Sequence, residues 1–214
     1  MKKKIFVFIL LITGMCVFAQ NGTIKEMSGT VELKNPGASD FIPAKAGDKV
    51  SQQTVVSTGF KSTALIEIGG AVLTVRPLTR LTLTEISASA NSETLNVNLQ
   101  AGRVRVEVNP PAGSKASMSV KGPIATASVR GTSFDFDTRN LYVNRGKVSF
   151  QGNRGAGVLV SAGSSSQIND DGKVSNPIDT QNGNLLPPSP VGYDIGGSAF
   201  SPTMNGNFTI TMDY

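Results

Sequence analysis

The two aspartates of the segment Phe134-Asp135-Phe136-Asp137 are the residues in this sequence best placed to do chemistry. Apolar and acidic residues alternate here, which predicts a β-strand with both carboxylates on one face, about 6–7 Å apart. That separation overlaps the range for the acid and base of glycosidases, and two carboxylates could also begin a calcium site. We favour a structural interpretation, in which both aspartates form the polar face opposite the two phenylalanines, because no third carboxylate or aromatic sugar platform lies nearby.

The composition excludes several classes of enzyme. The 214 residues contain no His and one Cys. The commonest general base and metal ligand is therefore missing, and no disulfide or thiolate metal site can form within the chain. The serine-nucleophile motifs Ser-x-x-Lys and Gly-x-Ser-x-Gly are also absent. We expect a protein that is not an enzyme and holds no cofactor or metal.

Arg130 is the third candidate, in the segment Val129-Arg130-Gly131-Thr132. Its guanidinium could bond carbonyl groups at a strand end or pair with an acid such as Asp135. We favour a structural lock, in which Gly131 gives the backbone freedom for a bend and Thr132 supplies a hydroxyl.

Strands must position these residues. Residues 22–168 consist of short alternating runs broken by Gly, Asn, Asp or Pro, with no long stretch at a helical period. Thr and Val are frequent in these runs, and β-branched side chains suit a half-buried pleated surface. The sequence predicts a single all-β domain of many short strands, either a twisted β-solenoid-like fold or a β-sandwich.

A short repeat of Gly, polar, Val, polar and apolar residues begins at Gly29, Gly102 and Gly146. We expect each glycine to end a turn with positive φ and the two apolar residues to enter the core from one face of the next strand. The spacings of 73 and 44 residues do not require a solenoid with a fixed rung length.

Residues 1–19 have the features of a signal peptide. A basic start is followed by an apolar run, and the small residue Ala19 precedes the predicted first mature residue, Gln20. We expect cleavage between these two residues and a periplasmic or extracellular protein. An uncleaved membrane anchor is one competing hypothesis, but the apolar run is short for a membrane span. A lipid on Cys16 is the other, but the residues before Cys16 match a lipoprotein signal poorly.

Cleavage removes three lysines and leaves 17 basic and 15 acidic residues, a formal charge of +2. This near balance gives no electrostatic case for binding nucleic acid, and export makes that partner improbable. After cleavage we expect no stable membrane span.

The composition changes after Val174, and we place the β domain at residues 20–174. Residues 175–207 hold five of the eleven prolines and little apolar periodicity, which predicts a flexible segment. Residues 208–214 alternate apolar and polar side chains and predict one terminal β-strand.

The segment from Pro123 to Phe136, with Val129-Arg130-Gly131-Thr132 and Phe134 at its centre, resembles the signature of the FecR domain. Segments on either side agree with that family in order: Gly47-Asp48-Lys49-Val50, Val56-Ser57-Thr58, Leu99 to Val104, Tyr142-Val143 and Gly146-Lys147-Val148. The resemblance spans roughly residues 22–168. It departs at Gly69-Gly70, where the family usually carries Asp-Gly.

The resemblance implies a non-catalytic module that binds another envelope protein, in signalling or as a scaffold. The regulators that give the family its name carry a cytoplasmic segment for a sigma factor and a membrane helix before this domain. Here a signal peptide stands directly before it, so we expect no direct sigma-factor control. Edge strands and residues 175–214 are the expected contact regions. The alternative is a cell-wall or surface glycan binder, or a weak glycosidase, centred on Asp135 and Asp137.

Overall fold

The computed structural model describes residues 21–89, 92–110, 113 and 115–179, and this part of the chain contains strands and no helix. No helix of these residues could therefore span a membrane. The eighteen strands are β1 (Gly22–Ser28), β2 (Val31–Lys34), β3 (Ile42–Pro43), β4 (Lys49–Val50), β5 (Val55–Thr58), β6 (Thr63–Ile68), β7 (Ala71–Val75), β8 (Arg80–Ser89), β9 (Ser92–Ala101), β10 (Arg103–Val108), β11 (Lys115–Lys121), β12 (Ala125–Val129), β13 (Ser133–Asp137), β14 (Asn140–Arg145), β15 (Lys147–Gly152), β16 (Val158–Ser161), β17 (Ser164–Gln167) and β18 (Ile178–Asp179).

These strands form two open sheets of nine strands each. Sheet 1 has the order β18-β17-β14-β13-β10-β7-β6-β1-β4, and sheet 2 has the order β16-β15-β12-β11-β9-β8-β5-β2-β3. Neighbours are antiparallel except β9 and β11, which are parallel and are separated in the chain by a single strand of sheet 1, β10. The chain thus passes repeatedly between the sheets. In each sheet the strands lie broadly in sequence order, from β4 to β18 in sheet 1 and from β3 to β16 in sheet 2.

One hydrophobic core lies between the sheets. Alternate residues of almost every long strand point into it, as in β10, where Val104, Val106 and Val108 are buried and Arg105 is not. The rings of Phe136 on sheet 1 and Phe150 on sheet 2 meet edge to face with centroids 5.9 Å apart. The predicted all-β class is confirmed. The fold combines the face-to-face packing of a sandwich with the sequential strand order of a solenoid.

The glycines of the short repeat lie where the chain crosses from one sheet to the other. Gly29, Gly102 and Gly146 have φ of 73°, 87° and 79°, which confirms the predicted positive φ. A Cβ on Gly102 would lie 2.5 Å from the Cα of Thr79, so this corner requires glycine for space as well as for conformation.

The corners are joined in pairs by hydroxyl groups. Ser62 accepts a hydrogen bond from the amide of Thr30 at 2.8 Å, next to Gly29. Thr79 accepts one from the amide of Arg103 at 3.0 Å, next to Gly102. In both cases a hydroxyl from one corner satisfies the amide that follows the glycine of the neighbouring corner.

The sheets extend beyond the boundary predicted at Val174. Ser175 donates from its amide to the carbonyl of Gln167 at 2.8 Å, and β18 pairs with β17. Part of the segment predicted to be flexible is therefore sheet. The predicted signal peptide with Ala19 and Gln20, Cys16, residues 180–207 and the predicted terminal strand at 208–214 lie outside the described residues.

Candidate functional site

The signature segment lies at a corner between the sheets. Val129 ends β12 in sheet 2 and is buried, whereas Phe134 belongs to β13 in sheet 1 and is fully buried in the core. Between them Gly131 turns the chain with φ of 73°. Arg130 is exposed. The two apolar residues thus anchor the corner from both sheets and hold Arg130 at the surface.

Thr132 is the buried polar residue of this corner. It is 2% exposed, and its carbonyl accepts a hydrogen bond from the amide of Val108 at 2.9 Å. Its hydroxyl has no hydrogen-bond partner among the described residues. A Cβ on Gly146 would lie 2.7 Å from the Cγ2 of Thr132, so the methyl group faces the neighbouring corner. This differs from Ser62 and Thr79, whose hydroxyls accept the amides of neighbouring corners.

An open groove of about 510 Å³ begins at this corner and runs over the outer face of sheet 2. We call it the signature groove. On the outer face of sheet 2 it is lined by Ser117, Ser128, Ser149 and Leu159. At the two corners it is lined by Val129, Arg130, Gly131, Thr132, Gly146 and Lys147. Two of these residues are basic, and none of the described residues that line the groove is acidic. The groove is thus polar, cationic at one end and apolar at Leu159.

The strand β16 borders the groove and ends sheet 2. The other strands at the sheet ends, β3, β4 and β18, have two residues each, and β3 contains Pro43. β16 has four residues without charge or proline, and Leu159 is 57% exposed. Short strands, prolines and charges are the usual protection of sheet edges, so β16 is the least protected edge in the described part of the chain.

The hydrogen bonds of β16 show which backbone groups face outward. The amide of Ala162 donates to the carbonyl of Gly146 at 2.9 Å, one step beyond the pair Lys147–Ser161. Bonded and non-bonded pairs alternate in an antiparallel ladder. Val160 therefore bonds to β15, whereas the amide and carbonyl groups of Leu159 and Ser161 point away from the sheet.

Asp135 lies on the outer face of sheet 1, opposite the core side that holds Phe134. It is 6% exposed and is held by Arg105, whose Nε lies 3.0 Å from Oδ2, and by Asn144, whose Nδ2 donates at 3.0 Å. Asp135 is therefore bonded to Arg105, rather than to Arg130 as one interpretation of the sequence proposed.

Asp137 closes the turn between β13 and β14. Its Oδ1 accepts the amides of Arg139 at 2.8 Å and Asn140 at 2.7 Å, and its Oδ2 lies 3.4 Å from Arg103. These are the bonds of an aspartate that stabilises a tight turn. Together with Asp135, it occupies the polar face of β13, and both carboxylates are already bonded to neighbouring side chains or backbone.

The described residues contain no group of three or more acidic or thiol side chains that could hold a metal ion. The turn at Asn169-Asp170-Asp171-Gly172 closes through a bond from the Gly172 amide to the Asn169 carbonyl, and Asp170 pairs with Arg139. The carboxylate of Asp170 is thus already paired with a basic side chain.

Residues 54–149 match the family model described as FecR protein. The chain carries a FecR domain. The match runs from the residue before β5 into β15 and is shorter than the resemblance over residues 22–168.

Two crystal structures of a candidate anti-sigma factor from Parabacteroides distasonis resemble this fold. At 2.50 Å resolution the TM-score is 0.49 with 16% identity, and at 1.65 Å resolution it is 0.48 with 14% identity. Each comparison covers 58% of this chain and 59% of the crystallised chain. No curated protein matches the sequence significantly.

Within the FecR domain, the structure adds residues that sequence reasoning did not connect with the signature. Lys147 and Ser149 follow the repeat glycine Gly146, and they line the same groove as Arg130. The repeat predicted a turn at Gly146, but the local pattern does not say which other corner lies beside it. Leu159 lies outside the matched region and reaches the groove because β16 pairs with β15.

Proposed function

We propose that this protein is an exported, non-catalytic FecR-domain module that binds an extended segment of another envelope protein. Membership of the FecR family supports a signalling or regulatory role at the cell envelope. The observation that carries the proposal is β16, an edge strand without charge or proline whose neighbouring groove is open. A partner segment that pairs with β16 would gain main-chain hydrogen bonds, and its side chains would meet Leu159 and the groove.

A non-catalytic role is supported by the state of the two aspartates. Asp135 and Asp137 are bonded to basic side chains or turn amides, and the sequence has no His to act beside them. The glycan-binding alternative gains no support from a specific contact, because the outer-face carboxylates that would contact the sugar are occupied by Arg105, Arg103 and Asn144.

Export remains part of the proposal. If the signal peptide is cleaved after Ala19, the mature protein begins at Gln20, and its partner is an envelope protein rather than a cytoplasmic sigma factor. The role we propose is therefore one without direct sigma-factor control.

The proposal is tested by photo-cross-linking in cells. A photo-reactive residue placed at Leu159 should capture one dominant envelope protein, and mass spectrometry should locate the cross-link in an extended segment of it. The same residue at Ile42, an exposed position on the opposite edge strand β3, is the matched control. Equal capture from both positions, or capture of glycan fragments, would contradict the proposal.

A further inference from the structure

We propose that the signature groove is a carboxylate-binding site that recognises an acidic side chain on the segment added beside β16. This inference rests on the proposed function and names the chemistry of the partner. It gives Arg130 and Thr132 of the signature a role in recognition, in addition to their place in the corner.

The charge of the groove favours an anion. Arg130 and Lys147 are both exposed, they line the same groove, and no described lining residue is acidic. Hydrogen bonds from guanidinium and ammonium groups to a carboxylate are roughly twice as strong as those between neutral groups. Some other exposed basic side chains do have an acidic partner, as in Lys25 with Glu67 at 2.8 Å and Arg139 with Asp170 at 2.6 Å.

Thr132 gives a second, independent indication. Its hydroxyl is buried and lacks a partner among the described residues, although the residue lines the groove. Buried polar groups are nearly always hydrogen-bonded, so such a group calls for an explanation. The equivalent hydroxyls of Ser62 and Thr79 are satisfied by corner amides. Rotation of the Thr132 side chain would bring its hydroxyl toward Gly146, where the methyl group now lies, at the corner that also holds Lys147.

The backbone at the corner leaves room for a ligand. Among the described residues, a Cβ on Gly131 would have Pro110 alone within 4 Å, at 3.7 Å, so these residues leave space beside it. The floor of the groove carries the small hydroxyl side chains of Ser117, Ser128 and Ser149. A carboxylate can therefore approach the corner without displacing a large side chain.

The distance from the edge strand fits an acidic side chain. Lys147 lies on β15, and adjacent strands are about 4.8 Å apart, so a strand added beside β16 would lie about 10 Å from β15. The extended side chains of a lysine and a glutamate together span this gap. Strand addition would supply affinity, and the carboxylate would supply selectivity.

The test uses the short peptide acetyl-Glu-Glu-Glu-amide, with its glutamine analogue as control, in an NMR titration of the full mature protein. We expect the glutamate peptide to shift the amide signals of Gly131, Gly146 and Lys147, and the glutamine peptide to leave them in place. The double variant Arg130→Gln/Lys147→Gln should weaken binding about tenfold. Raising the salt concentration should weaken binding to the native protein as well, because exposed charges are screened.

The matched control is Lys45→Gln/Lys121→Gln, which removes the same charge from two exposed lysines outside the groove. Binding of the glutamate peptide should be unchanged in this variant. Equal weakening in both double variants would show a nonspecific charge effect and would overturn the inference.

The cross-linking experiment at Leu159 separates this inference from the proposed function. If capture at Leu159 persists unchanged in Arg130→Gln/Lys147→Gln and the glutamate peptide does not bind, the carboxylate site is wrong and strand addition stands. If the glutamate peptide binds the groove but Leu159 captures no protein, the carboxylate site stands and the proposed function is wrong.

Discussion

At the scale of single residues, Asp135 and Asp137 lie on the outer face of β13, where basic side chains and turn amides hold both carboxylates. The alternation of Asp and Phe placed the carboxylates on one face, as the strand requires. Their partners come from β10 and β14, and which strands lie beside β13 is decided by the topology of sheet 1. The pairing of β10 with β13 therefore places Arg105 beside Asp135.

The ion pair of Asp135 should contribute to stability. Asp135→Asn removes the charge that holds Arg105 and keeps the size of the side chain, so we expect unfolding to require about 2 kcal/mol less free energy. Urea unfolding of the variant measures this difference. The control is Asp170→Asn, whose side chain is 98% exposed in its pair with Arg139 and should have little effect. A catalytic or purely surface role for Asp135 would leave stability unchanged.

The corner glycine Gly102 should be more sensitive to substitution than a glycine in open space. Gly102→Ala places a Cβ against the backbone of Thr79, whereas at Gly37, also at positive φ, a Cβ would meet no described residue within 4 Å apart from its chain neighbours. Both variants carry the cost of a left-handed alanine, roughly 1–2 kcal/mol. We expect Gly102→Ala to cost about 2 kcal/mol more, by urea unfolding. Equal costs would mean that the corners are not closely packed.

At the scale of elements, the proposed function depends on the edge strand β16 and on the corners between the sheets. The repeat of Gly, polar, Val, polar and apolar residues predicted the corners, because a positive φ and two inward-facing residues leave a local pattern. The same pattern does not reveal that each of these corners connects a strand of one sheet with a strand of the other. Nor could it show that β16 lies at a sheet edge, because that depends on β15 pairing with β16 in sheet 2 while β17 joins sheet 1.

Partner capture should depend on the outward amide of Leu159. Leu159→Pro removes this donor but leaves the bonds of Val160 to β15, so the fold should be retained while partner binding falls at least about tenfold. Leu159→Ser removes the apolar side chain and keeps the amide, and it should weaken binding less. Affinity purification with quantitative mass spectrometry compares the two. If the serine variant is the weaker binder, side-chain contacts rather than strand pairing dominate.

At the scale of the whole molecule, the sequence predicted the all-β class and the FecR domain, because alternation and the signature segment are both local. The arrangement of the two sheets required the structure. A sandwich and a solenoid share the same short strands and turns, and they differ in the long-range pairing of strands such as β9 and β11. The groove likewise required the structure, because its lining residues come from strands that are separated in the sequence, from β11 to β16.

Export is a prediction about the whole chain. Protein isolated from its native cells should begin at Gln20, and its intact mass should match the chain without residues 1–19. A mass that includes these residues would contradict cleavage, and a lipid attached to Cys16 would indicate membrane anchoring instead.

Amide hydrogen exchange can detect strand addition at β16 residue by residue. The amides of Leu159 and Ser161 point outward and should exchange rapidly in the free protein, whereas that of Val160 should be protected. In the complex with the protein captured at Leu159, we predict that exchange at Leu159 and Ser161 slows at least about a hundredfold. Unchanged exchange at both amides in a complex that has formed, or new protection at Ile42 on the opposite edge, would contradict the account.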